Sequence, residues 1–282
     1  MRIIRGKEEL GEAVAALTAD GGIAFVPTMG ALHAGHLALV EEARRHARHV
    51  VASIFVNPTQ FGPDEDLARY PRREASDARM LEEAGVEILW APEVATMYPD
   101  GPAATVRAGP ASRGLDGDAR PGHFDGVATV VARLFEQVRP DVAVFGEKDY
   151  QQLLVIRQMV GALGLPVKIV GVPTQRDADG LALSSRNLYL SEGERRAARA
   201  LPRALGEASQ AIADGTPAEE ALTRAREALA RAGFGPVDYL ELRDADTLEP
   251  VERAERPARL LAAAWLGGTR LIDNLPVHQA AS

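Results

Sequence analysis

With 282 residues, 46% of them hydrophobic and 26% charged, the chain has enough material for one large or two medium globular domains. A formal net charge of −8 and a sequence pI near 5.4 exclude a general nucleic-acid binder, so any phosphate recognition is expected to be confined to a pocket. The lack of cysteine excludes disulfides, thiolate zinc sites and a cysteine nucleophile. The first nine residues have no signal-peptide core and no stretch approaches the ~20 apolar residues of a membrane span, so a cytoplasmic chain without a membrane partner is expected.

In chain order, two periodicities alternate over the first half. Helical patterns at 7–19, 35–48, 73–84, 124–138 and 150–163 are interleaved with apolar, β-branched runs at 23–26, 50–56, 86–90, 142–145 and 167–172. Gly85 and Gly164 stand where two of the helices should stop. This alternation predicts a Rossmann-like, doubly wound parallel sheet with helices on both faces and ligands at the carboxyl ends of its strands.

The polar stretch 173–180 marks a hinge, dividing the chain into a Rossmann-like nucleotide-binding domain, 1–174, and a smaller C-terminal α+β domain, 175–282. Two helix starts are predicted there from capping-box spacing, one at Ser191 with Glu194 and one at Thr216 with Pro217 and Glu219. Runs at 237–243, 259–266 and 269–272 read as short strands, with turns at 244–246 and at Gly267-Gly268. No repeat or low-complexity tract is present, and Gly206, Gly215 and Pro217 interrupt any heptad in 194–232.

Four stretches can carry chemistry. Residues 26–36 read Val-Pro-Thr-Met-Gly-Ala-Leu-His-Ala-Gly-His and join a strand to a helix, which presents unpaired N–H groups and the positive end of a helix dipole to a phosphate. His33 falls in the loop and His36 in the first helical turn, on the face of Val40 and Ala43, where the dipole favours a neutral hydrogen-bond donor. The pair is only half a metal site, and His46, His49, His123 and His278 stand at no spacing that completes it. The second stretch, Gly-Glu-Lys-Asp-Tyr-Gln-Gln at 146–152, repeats the strand-to-helix logic. There Gly146 permits close approach, Lys148 offers a point charge, Asp149 can cap a helix or meet a ribose hydroxyl, and Gln152 faces the crevice.

Third, Leu-Ser-Ser-Arg-Asn at 183–187 sets two hydroxyls and a guanidinium on the hinge, able to close over phosphate oxygens. Fourth, Phe-Val-Asn-Pro-Thr-Gln-Phe at 55–61 places two amides beside aromatic bulk, suited to a small polar substrate. Each alone is an ordinary loop, but together they fall at strand ends or on the hinge, where an open α/β sheet holds its ligand. A dinucleotide fingerprint and a Walker A pattern are both absent.

His33-Ala34-Gly35-His36 resembles the His-x-Gly-His element of the nucleotidyltransferase superfamily, and Ser184-Ser185-Arg186 resembles its mobile phosphate-binding motif. The ordered set, with Arg-Pro-Gly-His-Phe at 120–124 and Arg-Leu-Ile-Asp-Asn at 270–274, resembles the pantothenate synthetases, the pantoate–beta-alanine ligase family, from about residue 23 to 274. The resemblance implies an ATP- and Mg²⁺-dependent reaction through pantoyl adenylate, ending in pantothenate for coenzyme A synthesis. It also implies an ATP site at Met29, Gly30, Ala31, Leu32, His33, Ala34, Gly35 and His36, with His36 the catalytic donor. Gly146, Glu147, Lys148 and Asp149 would contact the nucleotide, and Gln175 would meet adenine through its backbone. Leu183, Ser184, Ser185 and Arg186 would close over the phosphates, with Lys148 and Arg186 assisting catalysis. Gln60 and Gln152 would hold pantoate, Gln60 also bordering beta-alanine.

Thr59 and Leu183 stand where methionine is common in that family, which bears on affinity. The Mg²⁺ ligands stay open, and the resemblance suggests a homodimer. Another nucleotidyltransferase of the superfamily, or a non-catalytic nucleotide sensor, are the alternatives; the first would need a cationic pocket in place of Gln60 and Gln152.

Overall fold

The computed structural model of the chain describes residues 1–63 and 65–277. Two compact units emerge, one made of Met1–Glu147 and Gln151–Pro173, the other of Lys148–Tyr150 and the residues from Thr174 onward.

The first unit carries strands β1 (Arg2–Ile4), β2 (Ile23–Thr28), β3 (His49–Ile54), β4 (Ile88–Trp90), β5 (Val142–Gly146) and β6 (Lys168–Val172). They form one parallel sheet in the order β1-β4-β3-β2-β5-β6. Its helices are α1 (Lys7–Asp20), α2 (Ala34–His46), α3 (Glu74–Glu83), the single turns α4 (Val94–Met97) and α5 (Asp116–Ala119), α6 (His123–Val138) and α7 (Tyr150–Leu163). Alternate strand residues feed two cores. Phe25, Val51, Trp90 and Phe145 pack with Leu10, Phe135 and Ile156 on one face, while Ala24, Val26, Ala52 and Val144 pack with Val40, Ala43 and Leu81 on the other. This is the doubly wound sheet that the alternation predicts. The strand β1 was not expected: three residues are too few to show a period, and pairing with β4 is what makes them a strand.

The sheet changes direction between β2 and β5, the topological switch point. Pairing of β2 with β3 runs on to Thr28↔Ile54, and β5 pairs with β6 as far as Gly146↔Val172, yet β2 and β5 pair only at Ala24↔Val142 and Phe25↔Ala143. Pro27 explains the gap. Ile23 faces β5, since its carbonyl accepts from Asp141 N, whereas Gly22 and Thr28 face β3 through bonds from His49 N and Phe55 N. By alternation the next residue facing β5 after Phe25 is Pro27, which has no N–H to give. The sheet therefore opens into a crevice at the carboxyl ends of its two central strands.

In the second unit, β7 (Phe234–Asp244), β8 (Ala258–Leu266) and β9 (Thr269–Val277) form an antiparallel sheet, packed against α9 (Ala200–Ala213) and α10 (Ala218–Arg231). Leu201, Leu205, Leu222 and Leu229 meet Leu240, Leu260 and Leu266 in its core. The box at Ser191 forms with Glu194, but its helix, α8 (Glu192–Ala197), lasts only six residues. The box expected at Thr216 does not form: Pro217 itself is the N-cap of α10, with no side-chain cap bond. Its missing N–H and fixed φ suit a helix start, so a side-chain cap adds little there.

Candidate functional site

The turn from β2 to α2 lies at the open end of the crevice. Gly30 and Ala31 both adopt left-handed backbone, at φ 82 and 52, so the chain reverses within two residues. Thr28 Oγ1 donates to Ser53 O at 2.7 Å and accepts from Gly30 N at 3.1 Å. Asp77, on α3 and only 2% exposed, accepts from Ala31 N at 2.8 Å and Leu32 N at 3.0 Å. A buried carboxylate with two backbone donors is a charge-assisted brace, and it fixes the turn from a helix more than forty residues downstream.

His33 is the N-cap of α2. Its Nδ1 accepts from Gly35 N at 3.1 Å, and the His36 Nδ1 accepts from His33 N at 3.3 Å, with ring centroids 4.2 Å apart. Two imidazoles thus perform a capping box usually built from hydroxyl and carboxylate groups. Because each ring accepts at Nδ1, each carries its proton on Nε2, a donor located at a helix N-terminus. Val40 and Ala43 are buried as expected, while His36 is half-buried.

Gln60 lies in the short turn Pro58–Gln60, after β3, and is buried. Its Oε1 accepts from Asn57 Nδ2 at 3.0 Å, and its Nε2 donates to Met29 Sδ at 3.2 Å, bringing two of the expected site residues into contact. The Gln60 carbonyl accepts from His123 Nδ1 at 2.8 Å, and Arg120 Nη1 donates to His123 Nε2 at 3.0 Å. Burial, with the Arg120 charge beside it, pushes His123 down to about 4. Arg120 in turn holds Glu65 through Nε and Nη2, at 2.9 and 2.6 Å; burial alone would raise that carboxyl, but the arginine bonds outweigh it and hold it below the usual range. Helix α6 comes close enough for this only because residue 126 is glycine, where a Cβ would lie 2.2 Å from Thr59 O.

The neighbouring glutamines of α7 differ. Gln151 is buried and braces the 111–116 segment, its Oε1 accepting from Asp116 N and its Nε2 donating to Ala111 O and Gly114 O. Gln152 is half-buried and one residue further round the helix. Gly146 ends β5, with Glu147 beginning the 3₁₀ turn Glu147–Asp149.

The remaining expected residues belong to the second unit. Lys148 O accepts from Asn274 Nδ2 at 2.8 Å, and Tyr150 OH donates to Ala245 O while Arg259 lies 3.7 Å over its ring. The Lys148 Nζ is 4.0 Å from Asp149 Oδ1. Arg176 makes a bidentate pair with buried Asp273 at 2.7 and 2.8 Å, which ties down the loop whose Gln175 carbonyl accepts from Leu183 N. Ser184 Oγ accepts from Arg186 N at 3.2 Å and starts the 3₁₀ turn Ser185–Tyr189, with Ser185 buried and Arg186 half-buried.

Of the other histidines, His46 pairs with Glu42 and His49 lies among Glu87 and Asp20, both away from the turn; His278 lies outside the described residues. Among the described residues no group of three His, Asp or Glu is placed to hold a metal ion, and no helix is long and apolar enough to cross a membrane. Sequence reasoning missed Asp77, Tyr98 and the part played by His123. For Asp77 the available signal was an acid next to Ala78 and Leu81 on the buried face of α3.

A family model described as pantoate-beta-alanine ligase matches residues 2–276. A pantothenate synthetase of Rhizorhabdus wittichii is 62% identical over 281 residues, covering 99% of this chain and all of that one. Among solved structures, pantothenate synthetase from Thermus thermophilus superposes with a TM-score of 0.93 at 52% identity, covering 99% of this chain and 100% of that one. The Francisella tularensis pantoate-beta-alanine ligase, solved in complex with beta-gamma ATP and beta-alanine, gives 0.83 at 33% identity, covering 98% and 97%.

Proposed function

Because this chain belongs to the pantoate–beta-alanine ligase family, we propose that the paired imidazoles at the start of α2 are its adenylation centre. The chain condenses pantoate with beta-alanine at the expense of ATP. In the first step a pantoate carboxylate oxygen attacks the α-phosphorus in line, the bond to the bridging oxygen breaks and pyrophosphate leaves. In the second, the beta-alanine amine adds to the acyl carbon, the bond to AMP breaks and the amine sheds its proton to solvent.

The observation that carries the assignment is the tautomer. With both Nδ1 atoms engaged by backbone N–H, the Nε2–H of His36 is aimed by the cap and stabilises charge growing on phosphate oxygens without reorienting. His33, Met29, Gly30, Ala31, Leu32, Ala34 and Gly35 supply the rest of the nucleotide surface of that turn. Gly146, Glu147, Lys148 and Asp149 contact the nucleotide, Lys148 as a point charge. Arg186, with Leu183, Ser184 and Ser185, takes phosphate oxygens, and the Gln175 backbone meets adenine. Gln60 and Gln152, uncharged, hold pantoate without a fixed cation that would restrain the attacking carboxylate, and Gln60 borders beta-alanine.

Mg²⁺ is proposed as the companion of ATP, held on phosphate oxygens and water in the manner magnesium favours, where it neutralises phosphate charge. A cytoplasmic homodimer completes the reading, with sedimentation as its check. The direct test is isotope exchange between pyrophosphate and ATP, expected to require pantoate, together with AMP release that requires beta-alanine. Exchange without pantoate would sink the assignment.

A further inference from the structure

Tyr98 is buried at the end of α4, and nothing in the two chemical steps uses it. Its hydroxyl donates to Asn57 Oδ1 at 2.7 Å. The Asn57 amide can be oriented in only one way. Its Oδ1 also receives Thr59 N at 3.3 Å and Thr59 Oγ1 at 3.0 Å, while its Nδ2 gives to Gly126 O at 3.2 Å and Gln60 Oε1 at 3.0 Å. A flipped Asn57 would set its NH₂ against a backbone N–H and its oxygen against a backbone carbonyl.

The fixed Asn57 amide in turn fixes Gln60. Since Asn57 Nδ2 can only donate, Gln60 must present Oε1 to it, and Gln60 Nε2 is left pointing at Met29 Sδ, 3.2 Å away. Sulfur is a weak acceptor, so a carboxylate or hydroxyl oxygen of a substrate displaces it with a net gain. We propose that Tyr98 is a positioning residue: Thr59 N and Gly126 O choose the orientation of the Asn57 amide, and the phenol hydroxyl holds that amide in place, steadying Gln60 as a hydrogen-bond donor to pantoate. The proposal rests on the reading of Gln60 as a pantoate contact. It explains why a tyrosine and not a phenylalanine stands at 98, in a site otherwise suited to an apolar ring, with Phe55 6.2 Å away and the Arg133 guanidinium 4.9 Å over its face. Burial pushes the phenol up, which favours the protonated hydroxyl that the bond to Asn57 needs.

Thr59 Oγ1 partly duplicates the tyrosine, so a single deletion should loosen the lock without abolishing it. For Tyr98→Phe the KM for pantoate should rise roughly 3- to 10-fold, the effect of one lost hydrogen bond. The KM for ATP should not move, and that for beta-alanine, which Gln60 only borders, should rise less than that for pantoate. Adding Thr59→Val should raise the pantoate KM further, by more than either change alone. In a Gln60→Ala background, Tyr98→Phe should have no further effect, since the side chain it orients is gone. Melting temperature is measured alongside for every variant, and Thr59→Val replaces Tyr98→Phe as the probe should the latter fold poorly.

If Tyr98→Phe keeps its full factor in the Gln60→Ala background, or raises all three KM values equally, it acts on packing and the proposal falls. A Gln60→Ala variant with a large pantoate defect beside a silent Tyr98→Phe overturns the relay alone. A Gln60→Ala variant with an unchanged pantoate KM overturns the Gln60 reading and the relay with it.

Discussion

The chain leaves its sheet for a helix in two places that read alike in sequence, after β2 and after β5, and the structure treats them as opposites. The first turn is over-determined: left-handed backbone at Gly30 and Ala31, a threonine bridging to Ser53, a buried aspartate on two N–H groups and a histidine capping box. The second runs from Gly146 through a 3₁₀ turn directly into α7. Its glycine has no left-handed φ, and a Cβ added there would meet nothing within 4 Å. The first is braced at its glycine by neighbouring groups, with the rigidity that aimed donors need; the second leaves open space beside its glycine.

The largest way to break that contrast is His36→Ala, expected to lower pyrophosphate exchange by at least ~100-fold, as for loss of a donor to the transition state. A wild-type rate would mean that the imidazole serves the cap alone. Next comes Asp77→Ala, which removes the carboxylate from one buried and one half-buried N–H group and should cost about 1–3 kcal/mol in urea unfolding, with the KM for ATP raised on the order of 10-fold. Equal kinetics would show that the turn holds its shape without that brace. The smallest effect is expected from Gly146→Ala: stability within about 0.5 kcal/mol, because the added methyl meets nothing, but a KM for ATP raised several-fold if a nucleotide approaches there. A large stability loss would show that the second turn is as constrained as the first.

The order of strands and helices was legible because each core-facing run is long enough to show its period; residues 142–146 and 7–20 became elements almost at the expected bounds. Strand β1 and the missing cap at Thr216 were not, since one is defined by its partner and the other by a proline that replaces a hydrogen bond with a fixed φ. At the site, histidines, lysine and glutamines announce themselves by type. Asp77 and Tyr98 do not, because a residue that acts by holding another gains its meaning from a contact 40 or so positions away, as Asp77 to Ala31 and Tyr98 to Asn57. His36 was legible as a candidate donor, while the backbone N–H groups of Gly35 and His33 that engage the two Nδ1 atoms needed coordinates.

Pro27 gives the crevice a property that side chains cannot. Only every second residue of β2 faces β5, so the floor of the opening can be raised or lowered by moving the proline only in steps of two residues, about 6.6 Å at a time. Depth is therefore quantised, and a change of one step would admit or exclude a whole chemical group. On the proposed reading, finer matching to a small acid falls to side chains such as Met29 and Gln60, which adjust by less than a backbone step.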